Sequence, residues 1–292
     1  MLGRCGADSP ILMRVKSGEV TMKLQNKTVW ITGASRGVGE GMARVFHREG
    51  ADLIISARQE DELNRVRNSC TDGPGKVTVL PFDIADMGEV ADAAGRVLAD
   101  FGCLDVLVNN AGISQRELAK DTDLDVDRRV MEVDFFGPIA LTKAMLPRMI
   151  EQRSGHLVVT SSVAGKHGVP YRTAYCAAKH ALHGWFDTLR IELLEYHIDV
   201  MLLVIAGVQS DVAKYALTGD GTEFGHNDWG NGGLSITPEQ CGERVVEALQ
   251  NKEYEPIISI EPALEAMRLK DTDPVAFVQR MHGMMSWMAK KP

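Results

Sequence analysis

Residues 28–39 read TVWITGASRGVG, an apolar run that leads into a turn with three glycines and then into a helical stretch. Gly33, Gly37 and Gly39 allow the backbone to turn tightly and to approach a pyrophosphate, and the N-terminus of the helix offers N–H groups and a partial positive charge. Glycines in series also serve ordinary turns. Because this string stands between a predicted strand and a predicted helix, it favours a dinucleotide-binding site.

Outward from this stretch, apolar runs alternate with amphipathic helical segments along the chain. That alternation is typical of repeated βα units, which build a parallel sheet covered by helices on both faces. We therefore predict an α/β fold with a doubly wound, parallel, seven-stranded Rossmann-type sheet in a single domain. The predicted strands are residues 28–33, 52–57, 76–82, 105–111, 156–162, 199–206 and 256–260.

Three segments are expected along the chain. Residues 23–262 form the dinucleotide-binding and catalytic domain, residues 1–22 a loosely ordered N-terminal extension, and residues 263–292 a C-terminal helical extension. In the last segment, Met281, Met284 and Met288 belong to a broad apolar stripe. We interpret the stripe as a helix packed on its own domain or on a partner subunit, with a cap over the pocket or contact with a membrane surface as the alternative.

The composition narrows the functional classes. Acidic residues outnumber basic ones by 40 to 32, the net charge is -8, and no Lys/Arg stripe is present, so we predict no nucleic-acid partner. The five cysteines are far apart and show no ligand pattern, which indicates reduced thiols, and the eight histidines have no metal-site spacing, so no metal is predicted. No apolar run is long enough to span a bilayer. We predict a cytoplasmic protein, with organelle targeting by the N-terminal extension as an alternative.

The most informative pair is Tyr175 and Lys179, one turn apart on the same face of a strongly helical stretch. A free phenol titrates near pH 10, and lowering its pKa to about 7 requires roughly 4 kcal/mol of differential stabilisation. A cation about 4 Å away at an effective dielectric constant near 20 supplies about that much. The pair therefore predicts a tyrosine that works as an acid or a base.

The end of the second predicted strand distinguishes between nucleotides. An NAD site usually places a carboxylate there, whereas this chain has Ala57 followed by Arg58, and Arg36 in the glycine loop adds a second guanidinium. Two guanidiniums suit a 2′-phosphate, which they bind in forked geometry, so we predict NADP(H). The alternative is that Glu60 or Asp61 pairs with these arginines on the surface.

Taken together, TGASRGVG, Asp83, NNAG (109–112), Ser162 and YCAAK (175–179) resemble the short, single-domain branch of the short-chain dehydrogenase/reductase family. The resemblance runs from about residue 27 to about residue 260. It implies a homodimer or homotetramer.

The resemblance also implies roles for particular residues. Tyr175 would be the general acid or base, Ser162 rather than Ser161 would donate a hydrogen bond to the reacting oxygen, and Lys179 would lower the pKa of the phenol and hold the nicotinamide ribose. Asn109 with Gly112 would shape the cofactor floor. The full predicted cofactor-binding set is Gly33, Ser35, Arg36, Gly37, Val38, Gly39, Arg58, Asp83, Asn110, Ala111, Gly112, Tyr175, Lys179 and Ser210.

Two positions depart from the family pattern. Where a family asparagine helps to hold a proton-relay water, this chain has Asp134 in the string VDFFG. We expect Asp134 either to bind that water as a catalytic residue or to form an ion pair with a neighbouring Lys or Arg. After the sixth strand the chain reads VIAGVQSD without the usual Pro-Gly pair, and Ser210 is the expected counterpart of the hydroxyl residue that contacts the nicotinamide.

These observations predict an NADP(H)-dependent carbonyl reductase or alcohol dehydrogenase for a small to medium, mostly apolar carbonyl or secondary alcohol. The glycine-rich stretch after Ser210, which contains Tyr215, Phe224 and Trp229, is expected to form a lid over the reactive end of the cofactor. One alternative is a nucleotide-binding pseudoenzyme that regulates or scaffolds a partner. Another is an NAD-linked alcohol dehydrogenase, which would require Arg36 and Arg58 to face away from the ribose.

Overall fold

The computed structural model describes residues 24–227 and 235–288. The predicted N-terminal extension and Trp229 lie outside the described residues. Within them, seven strands form one all-parallel sheet in the order β3-β2-β1-β4-β5-β6-β7, which confirms the predicted doubly wound α/β fold. The strands are β1 (Thr28–Thr32), β2 (Asp52–Ser56), β3 (Val77–Val79), β4 (Val106–Asn109), β5 (Gly155–Ser162), β6 (Ile198–Ile205) and β7 (Ile257–Ile258).

Helices cover both faces of the sheet. They are α1 (Gly37–Arg48), α2 (Glu60–Ser69), α3 (Met87–Phe101), α4 (Leu124–Met131), α5 (Gly137–Gln152), α6 (Thr173–Glu192), α7 (Pro238–Gln250), α8 (Glu261–Thr272) and α9 (Pro274–Met288). Helices α1, α2 and α7 contribute to the core on one face, and α3, α5 and α6 contribute to the core on the other.

The apolar runs form strands because both faces of the sheet are buried. In β1, Val29 and Ile31 belong to one core, whereas Trp30 between them belongs to the other. All three are completely buried, and burial of an apolar side chain of this size contributes about 1.5–3 kcal/mol. The indole N–H of Trp30 donates to Oγ of Ser56 at 2.9 Å, so the one polar atom of this side chain is also paired.

The two edge strands are shorter than their apolar runs predicted. Strand β3 ends at Val79, close to Pro81, which has no N–H for the ladder. Hydrogen bonds from Leu80 N–H to the Ile55 carbonyl and from Phe82 N–H to the Ala57 carbonyl continue beyond the strand. The chain therefore still follows β2 and delivers Asp83 to the carboxyl edge of the sheet.

A π-helical turn, Glu132–Phe136, joins α4 to α5. Such a turn adds a residue to the helix and is frequent at functional sites, because it moves one side chain out of the regular helical pattern. Here it carries Asp134, whose side chain is completely buried. This local irregularity places a carboxyl group beside the segment that follows β4.

Candidate active site

A cleft of about 790 Å³ opens at the carboxyl edge of the sheet. In doubly wound folds this edge is where ligands bind. The cleft brings together both groups of residues singled out in the sequence, the glycine loop and the Tyr175–Lys179 pair. The predicted site residues that line it are Gly33, Ser35, Arg36, Gly37, Val38, Arg58, Asp83, Asn110, Ala111, Gly112, Asp134, Ser162, Tyr175, Lys179 and Ser210.

The glycine loop packs too tightly for larger residues. Gly33 has a φ of 64°, and a Cβ atom added there would lie 2.7 Å from Cα of Ala111. Gly39 does not line the cleft, but a Cβ atom there would lie 2.2 Å from the carbonyl oxygen of Gly33. Helix α1 begins directly behind this loop, and no side chain caps its N-terminus. The loop thus forms a cradle of backbone that suits a pyrophosphate.

Thr32 and Asn110 join the glycine loop to the segment after β4. Oγ1 of Thr32 accepts hydrogen bonds from the N–H groups of Asn110 and Ala111 at 3.0 and 3.1 Å. The side-chain amide of Asn110 donates to the carbonyl oxygens of Thr32 and Gly33 at 3.1 and 3.2 Å. These bonds fix the floor of the cleft.

Asn109 does not take the place that the sequence suggested. Its Nδ2 atom donates to Oγ1 of Thr142 at 2.9 Å, its side chain is buried, and it is not among the residues that line the cleft. Successive side chains of a strand point to opposite faces, and Asn109 is the last residue of β4. Asn110, just beyond the strand, faces the glycine loop instead.

Next to the glycine loop, the cleft is lined by Arg36, Arg58, Arg129 and the carboxylate of Asp83. Arg36 donates through Nη2 to Oε1 of Gln59 at 2.6 Å, and Arg58 is exposed. Oδ2 of Asp83 accepts from Arg129 at 3.0 Å and its Oδ1 accepts from Ala85 N–H at 3.0 Å. Burial would raise the pKa of Asp83, but these bonds hold it below its usual value. No local motif marks Arg129, which lies 46 positions from Asp83.

Helix α6 positions Tyr175 and Lys179. Oε1 of Gln115 accepts the N–H of Ala174 at 3.1 Å, which satisfies one of the first N–H groups of the helix. Nζ of Lys179 lies 5.4 Å from the centre of the Tyr175 ring. It also donates to the carbonyl oxygen of Thr160, at the end of β5, at 3.1 Å. The ammonium group is therefore held beside the phenol, as the spacing of the two residues predicted.

Asp134 forms an ion pair with Lys179, with 3.1 Å between Oδ2 and Nζ. Its Oδ1 atom accepts the backbone N–H of Ile113 at 2.7 Å. Burial raises the pKa of the Asp134 carboxyl, whereas Lys179 and the Ile113 N–H oppose that change. Burial would lower the pKa of Lys179, but Asp134 and Tyr175 together raise it, so the amine stays charged.

The two serines at the end of β5 have different surroundings. Oγ of Ser161 is 2.8 Å from Nε2 of His183, and the Ser161 side chain is almost completely buried. Oγ of Ser162 accepts the N–H of Ala164 at 3.1 Å. The O–H of Ser162 therefore remains available to donate, and this serine is less buried than its neighbour.

The segment after β6 crosses the cleft without the usual proline. A Cβ atom added to Gly37 would lie 2.9 Å from Cβ of Ser210, so this segment approaches the glycine loop closely. Of the aromatic residues expected in the lid, Tyr215 contacts Arg36 and Phe224 contacts Arg116, at 4.4 and 5.2 Å from guanidinium carbon to ring centre.

The two C-terminal helices also contribute to the cleft. Ala266 of α8 and Met281 and Met284 of α9 line it, and Ala266 and Met281 pack with Phe277 in a small core of their own. Nζ of Lys270 donates to the carbonyl oxygen of Lys166 and so ties α8 to the turn after β5. Part of the apolar stripe thus lines the cleft. This agrees with the alternative interpretation, a cap over the pocket, better than with a helix packed on its own domain or on a partner subunit.

The residues present fit a nicotinamide dinucleotide. The backbone cradle at the glycine loop suits the pyrophosphate, and the carboxylate of Asp83 lines the cleft together with the guanidinium groups of Arg36 and Arg58. Within residues 24–227 and 235–288 no group of three or more His, Cys, Asp or Glu side chains could hold a metal ion.

Two relatives resemble this chain over most of its length. The dehydrogenase/reductase SDR family member 7B of Bos taurus is 39% identical over 264 residues, which cover 88% of this chain and 81% of that protein. The protein of the same name in Xenopus tropicalis is 38% identical over 293 residues and covers 96% of this chain and 92% of that protein.

These relatives correct one expectation. The prediction of a cytoplasmic location is wrong, because the SDR family member 7 relatives are membrane-associated proteins. In the part of the chain that the structure describes, no helix combines the length and the apolar character needed to cross a bilayer.

Solved structures share the fold. A metagenomic short-chain oxidoreductase in complex with NADP superimposes with a TM-score of 0.67 at 26% identity, covering 81% of this chain and 98% of that one. A short chain dehydrogenase/reductase from Burkholderia phymatum in complex with NAD has a TM-score of 0.76 at 23% identity, covering 87% of this chain and 95% of that one. A family model described as short chain dehydrogenase matches residues 27–220. The chain belongs to the short-chain dehydrogenase/reductase family.

Proposed function

We propose that this protein is an NADP(H)-dependent oxidoreductase that interconverts a carbonyl group and a secondary alcohol of a small to medium, mostly apolar substrate. The observation that carries the proposal is one continuous cleft that is lined at one end by Arg36 and Arg58 and at the other by Ser162, Tyr175 and Lys179. A nucleotide site and a proton-transferring group are thus combined in a fold that binds NAD(P).

The glycine loop and the end of β2 would hold the nucleotide. Backbone N–H groups at the start of α1 would bind the pyrophosphate, Asp83 the adenine, and Arg36 with Arg58 the 2′-phosphate. Neither arginine has a carboxylate within ion-pair distance among the described residues, which supports this assignment over a surface pairing with Glu60 or Asp61. When bound, the nicotinamide supplies or accepts the hydride.

Side chains of the protein would transfer the proton. Tyr175 donates its phenolic proton to the carbonyl oxygen during reduction and takes the hydroxyl proton during oxidation. Ser162 donates its O–H to the same oxygen. Lys179 stabilises the phenolate, because its positive charge lies beside the ring in a poorly hydrated position.

Asp134 has two possible functions in this scheme. As a catalytic residue it would bind a water that passes protons to Lys179 and Tyr175, since its carboxyl oxygens are acceptors like the oxygen of the family asparagine. As a simple ion-pair partner it would only hold Lys179 in place. The 3.1 Å contact with Lys179 supports the pairing, and the pH dependence of the reaction distinguishes the two functions.

The substrate end of the cleft supports an apolar substrate. Its walls include Val163, Val169, Ala266, Met281 and Met284. Burial of these walls against a carbonyl compound of matching size would supply the binding energy, at about 25 cal/mol for each Å² of apolar surface.

We also propose the division of the chain at about residue 262 and assembly into a homodimer or homotetramer. Leu124 and Phe136, on the continuous helix that carries Asp134, are large apolar residues exposed to 60% and 46%. Ile191 and Leu194, at and just after the end of α6, are exposed to 77% and 71%. Exposed apolar side chains on these two helices support a subunit contact there.

Nucleotide titration with a substrate panel tests the function. NADPH and NADH are titrated against the protein by fluorescence, and NADPH consumption is then followed with ketones, aldehydes and quinones. We expect at least tenfold tighter binding of NADPH and turnover of an apolar carbonyl compound. A double variant, Arg36→Ala with Arg58→Ala, should lose that preference while it retains NADH affinity.

The same experiment separates the alternatives. Preferential NADPH binding with no turnover of any compound would support the pseudoenzyme, which the buried Asp134–Lys179 pair and the missing proline favour. Tighter binding of NADH than of NADPH would support the NAD-linked alcohol dehydrogenase instead.

A further inference from the structure

The segment that crosses the cleft, residues 207–227, is held to the body of the protein at several points; we call it the strap. The N–H of Leu217 donates to the carbonyl oxygen of Ser114 at 2.8 Å, and the N–H of Arg116 donates to the carbonyl oxygen of Leu217 at 2.7 Å. Near its start, the N–H of Gln209 donates to the carbonyl oxygen of Ile236 at 2.9 Å. These bonds hold the strap against the segment after β4 and against the residues that precede α7.

Within the strap, Tyr215 makes a contact that connects it to the nucleotide site. The guanidinium carbon of Arg36 lies 4.4 Å from the centre of the Tyr215 ring, a distance typical of a cation–π interaction. The same guanidinium donates through Nη2 to Oε1 of Gln59 at 2.6 Å. Three separate elements, the glycine loop, the end of β2 and the strap, thus meet at Arg36.

The charge of Arg36 is not neutralised by the protein itself. No carboxylate among the described residues lies within ion-pair distance of it, whereas Arg44 and Arg65 nearby both pair with Glu40. Both Arg36 and Tyr215 line the cleft. A stacked guanidinium keeps its N–H groups at its edge, where they can bind two oxygens of a phosphate at once.

We propose that Tyr215 is a specificity-determining residue, which holds Arg36 in the orientation that binds a 2′-phosphate and so couples nucleotide choice to the stability of the strap. This inference rests on the proposed NADP(H) function. Stacking on a ring restricts the long Arg36 side chain before the nucleotide arrives, so less conformational entropy is lost on binding.

Coupling of this kind acts in both directions. If the contact of the strap with Arg36 tightens the binding of a nucleotide that carries a 2′-phosphate, then that nucleotide must stabilise this contact by the same factor. A nucleotide without the 2′-phosphate makes no contact with Arg36 at that position and leaves the strap less stable. NADPH and NADH should therefore differ in their effect on the strap as well as in affinity.

Tyr215→Ala and Tyr215→Phe, compared with the unaltered protein, test the proposal by binding alone. We expect the Kd for NADPH to rise about fivefold in Tyr215→Ala, the factor that corresponds to a cation–π contact of about 1 kcal/mol. The Kd for NADH should change less than twofold, which also shows that the variant is folded. Tyr215→Phe keeps the ring and should behave like the unaltered protein.

Hydrogen exchange of the strap provides a second readout. At saturation, NADPH should slow exchange of the strap amides more than NADH does, and 2′,5′-ADP, which carries the 2′-phosphate without nicotinamide, should act like NADPH. Tyr215→Ala should remove this difference. Equal protection by both nucleotides, or equal loss of NADPH and NADH affinity in Tyr215→Ala, would overturn the inference.

The outcomes separate the inference from the function on which it rests. If the unaltered protein itself fails to prefer NADPH, the proposed nucleotide is wrong. If it prefers NADPH and Tyr215→Ala keeps the same preference, only the function assigned to Tyr215 is wrong.

Discussion

Nζ of Lys179 lies 3.1 Å from Oδ2 of Asp134, and the two side chains are exposed to only 4% and 0%. The ammonium of Lys179 therefore interacts with two groups, the ring of Tyr175 and the carboxylate of Asp134. A neutral asparagine at this position would leave the full charge of Lys179 to act on the phenol. The charge of residue 134 should therefore affect the pH dependence of the proposed proton transfer.

Asp134→Asn should shift the pH dependence of turnover. The buried carboxylate of Asp134 lies beside Lys179 and partly offsets the positive charge that the ammonium presents to the phenol. The midpoint of the rate of alcohol oxidation against pH should therefore move down by about one unit. Asp125→Asn on α4 is a suitable control, because it removes the same charge from a side chain that is 90% exposed. An unchanged midpoint in Asp134→Asn would refute the electrostatic function of Asp134.

Ser161→Ala and Ser162→Ala form a matched pair that tests which serine takes part in the reaction. Ser162→Ala should lower kcat by about 10²-fold or more, because it removes a donor to the reacting oxygen. Loss of the hydrogen bond from the Ala164 N–H should lower the free energy of unfolding by about 1 kcal/mol. Ser161→Ala leaves Nε2 of His183 without its partner, so the free energy of unfolding should fall by about 1–3 kcal/mol. Urea unfolding and steady-state kinetics on both variants provide the comparison, and the reverse pattern would exchange the two assignments.

Stability should fall in mild acid because of His167 and His183, which are buried, and His156, which is partly buried. Burial is the main cause that lowers the pKa of His156, His167 and His183. An imidazole with a lowered pKa in the folded chain binds fewer protons than in the unfolded chain, so stability present above about pH 6.5 is lost as the pH falls. The melting temperature should be lower at pH 5.5 than at pH 7.5.

His167→Leu checks the origin of this acid sensitivity. Nε2 of His167 is buried without a partner among the described residues, and its ring contacts Phe277 at 5.3 Å between centres. The variant should show a smaller difference in melting temperature between the two pH values. An equal difference would mean that His167 does not contribute.

Ala266→Leu should narrow the substrate end of the cleft. Ala266 is buried at the wall that α8 and α9 form, and added bulk there has little space to relax. In a series of methyl ketones, kcat/KM should fall about tenfold for long chains and change less than twofold for short ones. Val278→Leu on the 63% exposed part of α9 serves as the control. Equal effects on long and short ketones would argue against a substrate-contacting wall.

The features that the sequence predicted correctly are those that depend on short stretches of neighbouring residues. The strands follow from apolar runs because both faces of the sheet are buried, and the glycine loop follows from its place between β1 and α1. Tyr175 and Lys179 share a helix face by spacing alone. Nothing local predicts that Arg129 contacts Asp83, because that contact depends on how α4 packs beside the end of β3.

Two other features needed the packed structure. Asn109 and Asn110 are identical neighbours, and only the position of the end of β4 decides which one faces the glycine loop. The apolar stripe of α9 favoured packing on its own domain or on a partner subunit, whereas two of its methionines, Met281 and Met284, line the cleft. The place of Met281 beside Ala266 depends on the turn between α8 and α9, which no motif specifies.

The central claim is that Tyr175 transfers the proton in a cleft that binds the nucleotide independently of it. Tyr175→Phe, measured for NADPH affinity by fluorescence and for turnover on the best substrate of the panel, tests this most directly. We predict a Kd for NADPH within about twofold of the unaltered protein and a loss of kcat of about 10³-fold or more, on the scale of general acid–base catalysis. A variant that binds NADPH normally and keeps more than a tenth of the original turnover would contradict the claim.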